Sequence, residues 1–485
     1  MVAGRVEADE FFELLGTLNT SALEWRNFIA KNQGQRTVSL KQPAPTVPLT
    51  PENAPFHESK STLLEAANQL IRLVRGPREA LLALSFEHCA TTSLQVALKY
   101  KFAAHIPLHG TTTYAKIAQD VGQGVSTALV ERIVQHCASF GLFDAIPGGY
   151  VGHNDVSALL VTDPDIEAWM YLNATIAFPA GANVPKAIEQ YGYSMEANES
   201  AYGISIGRKI SQFSHFREPD NLKNHEMFAR AMRGIAKGGA YDIGHVIDGG
   251  YPWHLLQEGN GHLVVDVGGG PGHVIMGLAK KYPELRFEVQ DLPETVEVGA
   301  QACEESLRPR IAFRAHDFMT PQPKHKVDQE GIVYFCRFIL HDWSDKYARE
   351  IVQQLAYGLR ENDRIILNDV VVPEPGQELR EIERRMHDRD LLMLMNLNGR
   401  ERTISAFQEI CQSVTPKLTV ANVCRPKQGE LSLIEITLDG AQATVNGRGA
   451  THVNGNGVAH VNGNGVNGHT NGYTNGHTNG VNGVH

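Results

Sequence analysis

Apolar positions along this chain follow two rhythms. From Ser59 to about Val161 they recur at helical spacing, with Leu63, Leu64, Ala67, Leu70, Ile71 and Val74 on one face, which predicts a small α-rich unit. From about Glu226 to Leu438 short β-rich runs alternate with helical ones, the pattern of a doubly wound α/β domain. The predicted strands are Leu263–Val267, Arg286–Gln290, Ile311–Ala315, Gly331–Phe338 and Arg364–Val372, with Leu418–Val423 and Ser432–Leu438 as a closing antiparallel hairpin. Between them, Asp345–Leu359 reads as a helix with Tyr347, Ile351 and Leu355 at i, i+4 and i+8 and Ser344 as its N-cap. A second helix runs from Arg385 to Leu397 and a third starts at Thr403.

Inside the α-rich unit, Tyr114–Val121 and Ser126–Phe140 are two short predicted helices, Gly141 is a C-cap, and Leu142–Val151 is a hairpin turning on Pro147-Gly148-Gly149. That order is winged-helix-like. Its second helix carries only Arg132, beside Glu131, so the expected role is dimerisation and pocket building, not nucleic-acid binding. Ahead of it lie one helical stretch, Asp9–Ile29, and a proline-rich linker, Lys41–Pro55. The expected divisions are therefore an arm and linker at 1–57, the winged-helix-like unit at 58–165, a helical connection at 166–225 and the α/β domain at 226–440. The stretch from Ala441 to His485, mostly Asn-Gly repeats, is expected to be a disordered tail because it has almost no large apolar side chains to bury.

Composition narrows the classes. A chain of 485 residues that is 42% hydrophobic and 20% charged suits an ordinary globular protein of two or three units, and a net charge of -10 offers nucleic acid no general attraction. The six cysteines are scattered without a Cys-x-x-Cys pair, which reads as reduced thiols of a cytoplasmic protein. Glu7 and Asp9 interrupt any leader-like apolar stretch, and no apolar run approaches the ~20 residues of a membrane span.

Chemistry concentrates at the predicted strand ends. After the first strand comes Asp266-Val267-Gly268-Gly269-Gly270-Pro271-Gly272-His273, a turn that lets backbone approach a ligand. A dinucleotide fingerprint would need a small residue where His273 stands, whereas Asp266, Gly268, Gly270 and Gly272 resemble the first motif of class I SAM-dependent methyltransferases. Asp291, closing the second strand, is placed to accept from both ribose hydroxyls, and Asp317-Phe318, after the third, offers a polar acceptor and a ring to stack on adenine.

Past the fourth strand lies Arg337-Phe338-Ile339-Leu340-His341-Asp342-Trp343. A phenol has a pKa near 10 and needs a base at neutral pH, a task that histidine, with its ordinary pKa of about 6.5, suits. Asp369 and Glu401 reach the same sheet edge from other loops and would steady the imidazole, although Glu401 between Arg400 and Arg402 also reads as a surface ion pair.

On these motifs the stretch from Ser59 to Leu438 resembles the plant and fungal small-molecule O-methyltransferase family, to which caffeic acid and sterigmatocystin O-methyltransferases belong. The resemblance implies a Rossmann-like SAM domain behind a winged-helix-like dimerisation domain, and a homodimer acting on a hydroxylated, aromatic secondary metabolite. It implies His341 as base with Asp369 and Glu401 orienting it. Asp266, Gly268, Gly270, Asp291, Asp317, Phe318 and Arg337 would hold SAM, and Met232, Met393 and Asp342 would border the acceptor, with no metal required. Against the plant pattern, Asp369 replaces Glu, Phe318 replaces Met and Arg337 replaces Lys. Some fungal members catalyse pericyclisations or dehydrations with SAM as a bound cation; retention of His341 favours methyl transfer.

Overall fold

The computed structural model describes residues 7–33, 38, 47, 51–122, 124–325, 329–426 and 429–441. The segment beyond Ala441 and most of the proline-rich linker lie outside the described residues.

Three short strands, β1 (Thr111–Thr113), β2 (Asp144–Ile146) and β3 (Tyr150–Gly152), form a sheet ordered β1-β3-β2 against helices Tyr114–Val121 and Thr127–Ser139. This is the expected winged-helix arrangement, and Ile117, Val130, Val134, Cys137 and Val151 make its core. The long helix ahead of it, Ala54–Leu84, departs from the single helical rhythm: Gly76 adopts φ 66° and Pro77 follows, so the chain breaks into two helices there. Helix Glu7–Gln33 packs along its first half, where Ile29 and Phe56 are buried together.

The large sheet has seven strands: β4 (His262–Val267), β5 (Arg286–Asp291), β6 (Ile311–Ala315), β7 (Gly331–Arg337), β8 (Arg364–Val370), β9 (Leu418–Cys424) and β10 (Leu431–Leu438). Their order is β6-β5-β4-β7-β8-β10-β9, parallel from β6 to β8, with β10 antiparallel to both neighbours. The central strands are apolar on both faces because helices cover both. Val265, Tyr334 and Leu367 point into one core with Leu340, Ile351 and Phe407; Val264, Val333 and Ile366 point into the other with Ile275, Leu278 and Trp253.

From β4 the chain winds outward through β5 and β6, then returns to β7 and winds the other way. The carboxyl ends of β4 and β7 therefore flank the crevice where ligands bind in such sheets. Two further helical pieces, Pro164–Leu172 and Leu222–Ala236, pack together through Ala168, Leu172, Met227 and Ala231. Helix Arg380–Leu397 has its first turn met by Glu65, whose carboxylate accepts the Glu381 amide at 2.9 Å, a favourable place for an anion.

Candidate active site

The glycine turn after β4 is held entirely by backbone and carboxylate. The amides of Gly268 and Gly269 donate to the Gln290 carbonyl at 2.8 and 3.1 Å, tying the turn to the end of β5. Asp291 completes the grip: one oxygen accepts the Gly270 amide at 2.8 Å and the other the Leu292 amide at 2.7 Å, and the Thr295 side chain bonds to the same carboxylate. Gly268 has φ 71° and an added Cβ would meet Ile339 at 2.5 Å; Gly270 has φ 59° and faces open space, room that a ligand can use. Asp266, almost fully buried below the turn, has its carboxyl pushed up to about 7 by burial and by Asp291, with Arg337 pulling the other way.

Phe318 lies close to Gly268 and meets Trp343 edge-on with centroids 6.0 Å apart. Asp317 caps its own turn by accepting the Met319 amide at 3.0 Å. Arg337 donates to Asn368 Oδ1 at 3.1 Å and to the Tyr241 carbonyl at 2.6 Å, and burial lowers its pKa to about 10. The donor set and the open turn together fit an adenosine-bearing ligand.

His341 sits on a single 3-10 turn, Leu340–Asp342, just past β7. Its Nδ1 donates to Glu401 Oε1 at 2.8 Å, and its Nε2 lies 3.4 Å from Asp342 Oδ1. The arginines that flank Glu401 in sequence leave it free for this contact. Arg400 and Arg402 both bind Asp345, each at 2.9 Å, so the surface ion pair expected of Glu401 does not form. Arg402, fully buried, also donates to the carbonyls of Leu340 and Trp343 at 2.8 and 2.6 Å and thereby knots the turn that carries the histidine. Asp345 in turn begins the helix Asp345–Ala356, where Ser344 stands at the N-cap position but sends its hydroxyl to the Met195 carbonyl at 2.8 Å; it is not the side-chain cap the sequence implied.

Asp369 is buried nearby without a hydrogen bond to His341. Neither of its oxygens finds a donor of good geometry among the described residues, although the Leu340 amide and Arg402 lie close enough to favour its charged form. Burial raises its carboxyl to about 6, and that of Asp342 to about 7. Burial alone would lower the His341 pKa. Glu401, Asp342 and Asp369 outweigh it and lift the imidazole to about 10, well above the 6.5 that recommended it from sequence.

Met232 packs with Trp169 and Phe228 in the helical cluster, and Met393, half-buried on Arg380–Leu397, has its carbonyl capped by the Gly399 amide at 3.2 Å. Sequence reasoning passed over a row of planar groups. Phe338 stacks on His341 at 5.3 Å between centroids, Tyr241 lies 5.9 Å from Phe338, the Arg389 guanidinium sits 3.9 Å over Tyr241, and Trp169 covers it at 5.5 Å. Only the placement of Arg389 one turn before Met393 hinted at it.

A glycine turn on the first strand, an acid closing the second and a sheet ordered in this way are the fold of a class I SAM-dependent methyltransferase. Comparison narrows that class. A family model described as an O-methyltransferase domain matches residues 259–414. The chain is 68% identical to the O-methyltransferase CTB2 of Cercospora beticola over 450 residues, 92% of this chain and 97% of that relative. It is 58% identical to the O-methyltransferase elcB of Phaeosphaeria nodorum over 388 residues, 79% of this chain and 88% of elcB. Among solved structures it superposes on OxaC with a TM-score of 0.68, covering 88% of this chain and 98% of OxaC at 21% identity. The chain belongs to the fungal O-methyltransferase family and is a SAM-dependent O-methyltransferase of secondary metabolism. Among the described residues no helix is long and apolar enough to cross a membrane.

Proposed function

We propose that the acceptor is a small aromatic molecule whose phenolic hydroxyl surrenders its proton to His341 Nε2. One observation carries this reading: His341 presents a buried imidazole at the carboxyl edge of the sheet, fixed through Nδ1 by Glu401 and two residues past Ile339, whose side chain lies against Gly268 of the open turn. Bound there, SAM would supply the methyl group for the acceptor oxygen and leave as S-adenosylhomocysteine. Asp291, Gly268, Gly270, Asp317, Phe318 and Arg337 hold and orient that donor, with Asp266 supporting the turn from below. Glu401 positions the base; Asp369 and Asp342 act on it through charge. A phenol near pKa 10 and an imidazole at about 10 are matched, so once the imidazole has given up its own proton the phenol's moves to Nε2 at little cost.

Met232 and Met393 belong to the acceptor side. A homodimer is supported by the apolar surface left bare on the helical unit, where Val74, Leu81, Leu82, Leu84 and Phe86 are all more than half exposed. The decisive experiment incubates the protein with SAM and hydroxylated naphthalenes, then weighs the products by mass spectrometry. A gain of one methyl group, blocked by methylating the acceptor hydroxyl beforehand, is the expected result. A product of unchanged mass but altered retention would overturn it in favour of a pericyclisation.

A further inference from the structure

Arg389 is held differently from Arg384 and Arg385 of the same helix. Arg385 reaches Glu430 at 2.6 Å and Arg384 approaches Glu87 at 3.8 Å, but Arg389 has no carboxylate partner among the described residues. The acids of its neighbourhood are committed elsewhere. Glu430 accepts from Arg385 and from the Tyr241 hydroxyl, Asp390 accepts the Glu401 amide at 2.9 Å, and Asp165 holds Lys237 and Arg233 at 2.6 and 3.2 Å. Its guanidinium is instead clamped by aromatic faces, 3.9 Å from the Tyr241 centroid and 5.5 Å from that of Trp169. Stacking of this kind uses the face of the guanidinium and leaves the N–H edge, a rigid fork matched to two oxygens, free to bind something else.

Its position says what. The row Arg389, Tyr241, Phe338, His341 puts the guanidinium two rings away from the base, with Met393 one helical turn further on and Met232 packed against the same helical cluster as Trp169. Around the base itself the field is negative, since Glu401, Asp342 and Asp369 all face the imidazole. An acceptor carrying its own anion would be repelled at the His341 end and drawn at the Arg389 end. We propose that Arg389 selects and orients acceptors bearing an anionic oxygen group, such as a carboxylate, at the edge remote from the hydroxyl that is methylated.

This rests on the reading of the crevice as an aromatic acceptor site, and the test keeps the two apart. A hydroxynaphthoic acid and its methyl ester are titrated by calorimetry into the full chain loaded with S-adenosylhomocysteine. The wild type should bind the acid roughly tenfold or more tighter than the ester, the scale of one charge-assisted bidentate contact. R389M should bring the ratio near one, and R389K, which keeps charge but not the planar fork, should fall between. A wild-type ratio near one, including the case where neither probe binds, overturns the proposal. So does a ratio undiminished in R389M or, should that variant not fold, undiminished in R389K. Methyl transfer from SAM to the ester is scored separately: its absence in the wild type counts against the parent reading, whatever the binding ratio shows.

Discussion

The two halves of the crevice, one at the tip of β4 and the other past β7, are built on opposite principles. Around the glycine turn the polar groups find partners: the Gly268, Gly269 and Gly270 amides all donate, and each Asp291 oxygen accepts. Around His341 there is an excess of acceptors, with both oxygens of Asp369 and the second oxygen of Glu401 buried and unpartnered among the described residues. Unpaired buried acceptors are costly and rare in a structure that only has to be stable. The difference teaches that the donor half is a rigid cradle, complete before anything binds. The acceptor half stores negative charge that one imidazolium, and the proton it carries, must balance.

Substitutions on the two sides should therefore fail in different ways, and the largest failure belongs to the acceptor half. His341→Ala is expected to cut methyl transfer by about 10²–10⁴-fold while SAM affinity, read by calorimetry, hardly moves. Full activity at neutral pH would make His341 structural and erase the contrast. On the donor half, Asp291→Ala should weaken SAM binding by about 1.5–3 kcal/mol, roughly 10- to 150-fold, because the loss frees the Gly270 amide as well as removing an acceptor for the ribose. Unaltered affinity would mean that the ligand is held elsewhere.

The smallest change in rate, and the sharpest in shape, is expected from Glu401→Gln. With the imidazole lifted to about 10, the wild-type rate should climb with pH up to that value, so its profile resembles that of a base-free enzyme waiting for its phenol to ionise. Removing the Glu401 charge lowers the imidazole pKa, so the rise should begin at lower pH, with a change of less than about tenfold at pH 7. Stability should follow the same group. A pKa raised on folding contributes stability that is complete below the unfolded value of about 6.5 and is lost as pH climbs through 10. The melting temperature of Glu401→Gln should consequently fall less between pH 7 and 10 than that of the wild type; parallel curves would show that His341 does not carry the extra proton.

Much of this architecture was legible in the chain because buried parallel strands announce themselves. β4 to β10 each fall within two residues of the expected run, most plainly β4, β7 and β8, where covering both faces of a parallel strand forces near-continuous apolar residues. The strand-end acids and His341 were legible for the same reason: once the strands are placed, their carboxyl ends are known. Side-chain partnership was not. Glu401 reads from sequence as steadying the imidazole, with a surface pair to its flanking arginines as the alternative, and only tertiary contact shows Asp345 drawing both arginines away. Gly76-Pro77 break the helix just past the apolar face that ends at Val74, a break the apolar spacing itself does not mark. The row from Trp169 to His341 joins residues far apart in sequence, with no spacing to reveal it.

Phe338 and Ile339 alone separate Arg337, on the donor half, from the turn that carries His341, and the backbone of Phe338 lies in the left-handed region at φ 55°. For a bulky L-residue that conformation costs about 1–3 kcal/mol. Glycine would relax the strain and, in the same exchange, delete the ring that lies against the imidazole. The ring also packs with Tyr241 and lies under the Arg337 guanidinium at 4.9 Å, so the packing lost is of the same order as the strain relieved. A search for a hardier variant scored by heat resistance alone would find little to gain at this position, and one scored by product formed would keep the residue.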